Sequence, residues 1–219
     1  KTDKFDAKVL AQYGCEKIKK LIYSKPRAAE LDQVISLLKV IEDYQLQMTA
    51  QKNRIHSVKL NPYAAKEVLK SLEKDIKFKA KEIKSLSKLC IRIIEKFDKE
   101  YFKKLKRVVG VGDKTAMMII AYYGKFELFE TAKQTVSFAG INPKPFESGT
   151  SVKKKGGISK RGNPYIRKTL YMAALSAMKY NKSCKGLYER LIGKGKSKMT
   201  AIVAVASKLL RQVFAIVKY

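Results

Sequence analysis

The chain has no tryptophan, one histidine, five prolines and three cysteines in 219 residues. Each scarcity removes a class of function. With a single imidazole, no Ser-His-Asp triad can be built unless His56 supplies the base, and His56 reads as a surface residue near a helix end. Cys15, Cys90 and Cys184 are odd in number, far apart and without a CxxC pair. That pattern argues against a disulfide framework or a zinc site and for a reducing compartment, with core filling as their role. No signal or transit pattern opens the chain at Lys1. Uncharged apolar runs fall short of the roughly 18 residues of a membrane span, the longest being Thr115 to Gly124 and Ala201 to Ser207. An interfacial anchor with Trp on one face is also missing, so the chain reads as soluble and without a membrane partner.

Acids are scarce as well. Nineteen Asp+Glu face 48 Lys+Arg, for a net charge of +29 in a chain that is 46% hydrophobic. Enough apolar side chains are present to bury a core, which excludes a disordered basic tail. A field this positive attracts phosphate backbones before any specific contact forms, so nucleic acid is the favoured partner.

Glycine is withheld from half of the chain. Of 12 glycines, Gly14 stands early, none falls from Cys15 to Val109, and the other eleven lie between Gly110 and Gly195. The glycine-free region reads as long helices. Leu31, Ile35, Leu38, Ile41 and Met48 follow helical spacing. After the Asn61-Pro62 break the series Leu69, Leu72, Ile76, Ala80, Ile83, Leu86, Cys90, Ile93, Phe97 does the same. The stripe is narrow and flanked by Lys and Glu, which suits a coiled coil, folded back on itself or joining two subunits; two core helices of a bundle would carry the same period. From Val108 onward the texture changes to shorter helices joined by glycine loops. Thr131-Ala132-Lys133-Gln134 has capping-box spacing, Asn163-Pro164 is an N-cap followed by proline, and a last helix is expected from Thr200. Between Gly140 and Gly162 no helical period survives, and an ordered loop or short hairpin is expected.

Three places carry chemistry. Val109-Gly110-Val111-Gly112-Asp113-Lys114-Thr115-Ala116 matches the hairpin of a helix-hairpin-helix unit. Its glycines permit a tight turn, so that backbone N–H groups at the next helix start can approach a phosphate without sequence preference, with Lys114 adding charge; an ordinary glycine connector is the plainer alternative. From Thr131 to the end, 19 Lys+Arg face only Glu147 and Glu189. Lys153, Lys154, Lys155, Lys160, Arg161, Arg167 and Lys168 crowd the irregular loop, with Tyr165 among them as a stacking or phosphate partner. A charge run is usually a solvated face, but so one-sided a surplus repels itself unless a polyanion neutralises it. Asp3 and Asp6 stand three apart, on one helical face, where they could share a divalent ion or simply favour a helix start.

Taken in order, several segments resemble a known family. They are Lys1-Thr2-Asp3-Lys4-Phe5-Asp6-Ala7, the long hairpin, Gly110 to Ala116, Phe138-Ala139-Gly140-Ile141-Asn142-Pro143, Glu147-Ser148-Gly149-Thr150-Ser151-Val152 and Ile158-Ser159-Lys160-Arg161-Gly162-Asn163. The succession is similar to DEDD transposases related to the Piv and MooV recombinases, the insertion sequence one-ten family, some of whose members are guided by a bridge RNA. The resemblance implies a mainly α chain. Residues 1–24 would be the C-terminal remnant of a RuvC-like DEDD domain, 25–104 a coiled-coil helical hairpin, and 105–219 a compact transposase domain with a helix-hairpin-helix motif and a catalytic serine loop. It further implies an enzyme that cleaves and rejoins DNA during transposition, with Ser148 as nucleophile and Asp3 and Asp6 as the last two of four acids binding Mg2+.

Under the same resemblance the first two acids would precede Lys1, so the chain alone is expected to be inactive or nearly so. The partners implied are DNA, a guide RNA and further copies of the chain through the coiled coil, in the bacterial cytoplasm at the nucleoid. The nucleic-acid-binding set is Gly110, Gly112, Lys114, Thr115, Lys153, Lys154, Lys155, Lys160, Arg161, Arg167 and Lys168. Without the resemblance, Ser151 competes with Ser148, and both serines could merely hydrogen-bond a turn. The competing function is a non-catalytic helix-hairpin-helix module that binds nucleic acid by shape and charge. A helical oligomerisation scaffold is a third, which the basic excess disfavours.

Overall fold

In a computed structural model, which describes residues 3–18, 26–143, 146–148, 152–154 and 157–219, the chain is mainly α. Helix α1 (Asp3–Lys17) buries none of its residues. The glycine-free region forms α2 (Ala29–Lys59) and α3 (Lys66–Lys106), joined at 60–65 and packed against each other. Only the root of this hairpin is fully buried: Leu31, Val34, Ile35, Leu38 and Ile41 from α2, and Cys90, Ile94, Tyr101, Phe102 and Leu105 from α3. Beyond the root, among the described residues, each helix has only the other to cover it. Met48, Ile55, Leu69, Leu72, Ile76, Ile83 and Leu86 therefore stay half-buried.

Two details of α3 depart from the sequence expectation. Ile94, rather than Ile93, reaches the core, and Ala80 and Phe97 are exposed, because a stripe written at strict three-four spacing drifts around a helix of this length. Helix α3 also runs on to Lys106, and its true break lies upstream at Asp98, where φ −164° and ψ 88° leave the helical region. Asp98 caps the helical segment that ends at Lys106. Its Oδ1 accepts the Tyr101 N–H at 2.9 Å, the contact of an N-cap with N3, and its other oxygen meets Lys125 at 2.6 Å.

Helix α4 (Asp113–Tyr123) is apolar on every side, and eight of its eleven residues are buried. A helix of that kind can only sit inside, and α2, α3 and α6 close around it. Helix α5 (Ala132–Ala139) starts on the predicted capping box: the Thr131 hydroxyl accepts from the Gln134 N–H at 3.4 Å while Gln134 Oε1 accepts from the Thr131 N–H at 3.1 Å. The irregular stretch is a short hairpin, β1 (Phe146–Ser148) antiparallel to β2 (Val152–Lys154), with Ser148 opposite Val152. Helix α6 (Pro164–Tyr180) begins after the predicted Asn163 cap.

Asn181 then ends α6 and caps α7 (Lys182–Gly193), a helix that the glycines at 186 and 193 hide from periodicity. Helix α8 (Lys198–Lys218) begins two residues before the expected Thr200, because Ser197 is the cap. Among the described residues α8 alone is long and apolar enough to cross a membrane. Here it is the core helix, burying Ala201, Ile202, Val205, Ala206, Leu209, Leu210, Val213 and Phe214 against α3, α5, α6 and α7. Cys90 and Cys184 fill the core as expected, whereas Cys15 is exposed on α1.

Candidate nucleic-acid interface

The turn between α3 and α4 is built by two glycines doing different things. Gly110 has φ +105°, and a Cβ there would meet Ala177 Cβ on α6 at 2.7 Å. The residue must be glycine both for its backbone and for the closeness of α6. Gly112, at φ −89°, caps α4 with open space around it. The turn closes through the Val111 N–H to Val108 O at 2.9 Å, and Asn181 Nδ2 donates to Val109 O at 3.1 Å, tying the turn to the α6–α7 junction.

Between this turn and α6 lies a cleft of about 530 Å³. It is lined by Lys106, Val108 to Gly112, Lys114, Thr115, Lys168, Thr169, Met172, Ala173 and Ser176. Of the predicted binding residues, Gly110, Gly112, Lys114, Thr115 and Lys168 therefore share one cleft. Thr115 is buried at 6% exposure. Lys114 is half-buried: its ammonium donates to Gln45 of α2 at 3.0 Å and stands over the Tyr165 ring at 5.8 Å. Burial, then the neighbouring Lys168 charge, lowers the Lys114 pKa, and Glu42 opposes them. Lys168 pairs with Glu42 at 3.2 Å, and Lys106 pairs with Asp113. The root of the long hairpin thus holds two of the cleft's lysines.

Tyr165 is corrected by its burial. At 6% exposure its ring is an inner surface and offers no face for a base to stack on. Burial, above all, drives its phenol pKa upward.

The basic loop is fixed at its base. Gly140, at φ +68°, would push a Cβ to 2.9 Å from Arg161 O, and Gly162 would push one to 2.4 Å from Phe138 O. The two glycines interlock the end of α5 with residues 160–163. The Ser159 N–H to Asn142 O (2.9 Å) and Lys160 N–H to Gly140 O (3.1 Å) bonds and the Pro143–Ile158 bridge complete the joint. Lys160 and Arg161 are exposed beside it, and Arg167 donates to Gly162 O at 2.7 Å. Ser148 ends β1, and Lys153 and Lys154 lie on β2. Ser151 and Lys155 lie outside the described residues.

Asp3 and Asp6 occupy the first turn of α1, both exposed. Among the described residues no three His, Cys, Asp or Glu side chains cluster as a metal site would. Two carboxylates on one exposed turn do not make a magnesium site by themselves. His56 is exposed in the last turn of α2, as expected.

Several residues of the candidate interface escape sequence reasoning. Lys106, Thr169 and Met172 line the cleft from two helices, and nothing in their spacing announces it. Asn181 is legible as a cap, being followed by polar Lys182 and Ser183, but its bonds to Val109 and Gln212 are tertiary.

Residues 102–189 match the family described as "Transposase IS116/IS110/IS902 family". The whole chain is 28% identical over 223 aligned positions to the "Pilin gene-inverting protein" of Moraxella lacunata, and spans 66% of that protein's length. About half the chain, 52%, is 26% identical to the "Insertion element IS110 uncharacterized 43.6 kDa protein" of Streptomyces coelicolor, covering 28% of it. A similar share, 48%, is 29% identical to the "Transposase for insertion sequence element IS1111A" of Coxiella burnetii, covering 30% of it. The stretch holding the glycine turn, the basic hairpin, α6 and most of α7 is therefore the part that matches a transposase domain of the IS116/IS110/IS902 family.

Proposed function

We propose that this chain is the DNA-handling part of a transposase or recombinase that breaks and rejoins DNA strands during transposition, with Ser148 as the nucleophile. The observation that carries the reading is the transposase match over 102–189, one stretch that includes both the glycine turn and the serine-bearing hairpin. The likeness of the whole chain to a gene-inverting protein supports it. In the proposed step the Ser148 oxygen bonds to a DNA phosphorus as its proton leaves, and the phosphorus–deoxyribose oxygen bond breaks, freeing a sugar hydroxyl once that oxygen is protonated. Because the phosphodiester is exchanged and not hydrolysed, the reverse attack rejoins the strand. A serine hydroxyl is a weak nucleophile, and Lys153, Lys154, Lys155, Lys160 and Arg161 supply the positive potential that stabilises the phosphoryl oxygens.

The further assignments rest on the resemblance. Under it Asp3 and Asp6 would give two carboxylates to a Mg2+ site and would need further donors to hold the ion. The turn from Gly110 to Thr115 with Lys168 and Arg167 holds DNA or a guide RNA by its backbone, and the α2–α3 hairpin joins copies of the chain. The test is Ser148→Ala in the full-length protein. Strand exchange and the serine-linked adduct on a suicide DNA substrate are lost, while DNA affinity stays within about twofold. Retained exchange moves the role to Ser151 or discards it. A binding-only helix-hairpin-helix module would give no adduct from the unsubstituted protein.

A further inference from the structure

The cleft beside the glycine turn is built for more than a backbone phosphate. A phosphate needs a concave row of donors and little depth, whereas this cleft has about 530 Å³ and an apolar floor. Val109 on the turn is 50% exposed and Met172 on α6 60% exposed, and the two line the same cleft from different elements. Lys106 and Lys168 stand at its edge, each more than 40% exposed at the side chain. Thr169 lines the cleft at 3% exposure. Its hydroxyl lies near enough to the Tyr165 phenol one turn back to influence its titration, yet neither oxygen has a partner in hydrogen-bond geometry among the described residues. A buried hydroxyl without a partner costs free energy unless a ligand supplies one.

We propose that this cleft takes one unstacked nucleotide of a single strand, its base held between Val109 and Met172, Thr169 Oγ1 bonded to its polar edge, and its phosphate drawn by Lys106 and Lys168. The assignment rests on the reading that the turn contacts nucleic acid, and adds that the substrate there is single-stranded. A largely apolar slot with Lys106 and Lys168 exposed at its mouth, and Lys114 turned to Gln45 of α2, suits a base, which has a polar edge and an apolar face. Among the described residues the slot's lining carries no aromatic side chain, so contact is through aliphatic and thioether surface, and sequence preference is small.

The test compares labelled single-stranded and hairpin-duplex DNA of equal length, by anisotropy with the full chain at fixed salt. Thr169→Val, an isosteric change, and Met172→Ala, at an exposed position, lower single-strand affinity about five- to tenfold and leave duplex affinity within about twofold. Met199→Ala, equally exposed but at the start of α8, changes neither. A deoxynucleoside monophosphate competes for the single strand better than inorganic phosphate does. Equal losses on both DNA forms, no loss with Met172→Ala, or equal competition by inorganic phosphate overturns the proposal. If Thr169→Val unfolds the chain, Met172→Ala alone decides. Ser148→Ala reports on strand exchange and not on this affinity, so either proposal can fail while the other stands.

Discussion

Gly110→Ala is the sharpest probe of how the turn is held. The added methyl would stand 2.7 Å from Ala177 Cβ and 3.0 Å from Ala177 Cα, and φ +105° is a conformation that L-residues avoid. Overpacking of this kind costs about 1–3 kcal/mol, and the left-handed backbone adds about 1–2 kcal/mol. The sum, about 2–5 kcal/mol, lowers the melting temperature of a chain this size by roughly 4–20 °C. Gly112→Ala, at φ −89° with nothing within 4 Å, costs under about 1 kcal/mol as a poorer cap partly offset by chain entropy. Ala177→Gly removes the Cβ partner but not the Cα at 3.0 Å, so the Gly110→Ala, Ala177→Gly pair recovers about 1 kcal/mol against the sum of the singles, not the whole cost. Calorimetry or far-UV melting of the four proteins reads all of this. Equal effects at 110 and 112, or strict additivity in the cycle, would refute the claim that close contact with α6 sets the turn.

Two more outcomes concern titratable groups. The Asp98 carboxyl is held below its ordinary 3.8, first by the Lys125 ammonium and then by the Tyr101 N–H, so its contribution is complete above that pH and is lost as pH falls through the lower folded value. Asp98→Asn keeps a cap acceptor and flattens this part of the acid-unfolding profile, whereas Asp98→Ala also loses the cap, for about 1–2 kcal/mol at neutral pH. A wild-type acid-unfolding profile matching that of Asp98→Asn below the ordinary carboxyl value would contradict it. At pH 8 a thiol reagent should titrate Cys15 quickly and the others only on unfolding, because burial pushes Cys90 up to about 11 and raises Cys184 too. Fast labelling of two or more thiols in the native chain would refute the core packing.

Local signals carry most of the fold. Glycine punctuation, the capping box at Thr131 and the Asn163-Pro164 cap each concern a few neighbouring residues whose backbone bonds are decided among themselves. Helix α4 is harder, since a segment apolar on every face has no period to announce, and α7 escapes because Gly186 reads as a breaker although it sits exposed within the helix. The break at Asp98 is hidden too. Nothing in Lys96-Phe97-Asp98-Lys99 opposes a helix, and what favours the break there is a lysine 27 positions away. Tyr165 misleads for the same reason: neighbouring charges in sequence say nothing about the helices that cover a ring in space.

The site divides along that line. Its charge is legible, because a surplus of 29 needs no geometry to be felt at long range. Which cations face a ligand is not. Among the described residues seven ion pairs engage seven of 40 basic side chains, so most of the attractive field of that part comes from cations without an acidic partner there. Lys114 and Lys168 belong to another class. Gln45 and Glu42, one helical turn apart on α2, hold them against the cleft, so their positions depend on the root of the long hairpin. Moving α2 relative to α4 and α6 would break both contacts and free the two ammonium groups, whereas the exposed Lys160 and Arg161 would be unaffected. Rim charges in solvent govern encounter and salt dependence, and held charges govern geometry. If the proposed single-strand preference of the cleft holds, a loss of the α2 contacts through Glu42→Ala and Gln45→Ala should therefore alter it more than the slope of affinity against salt.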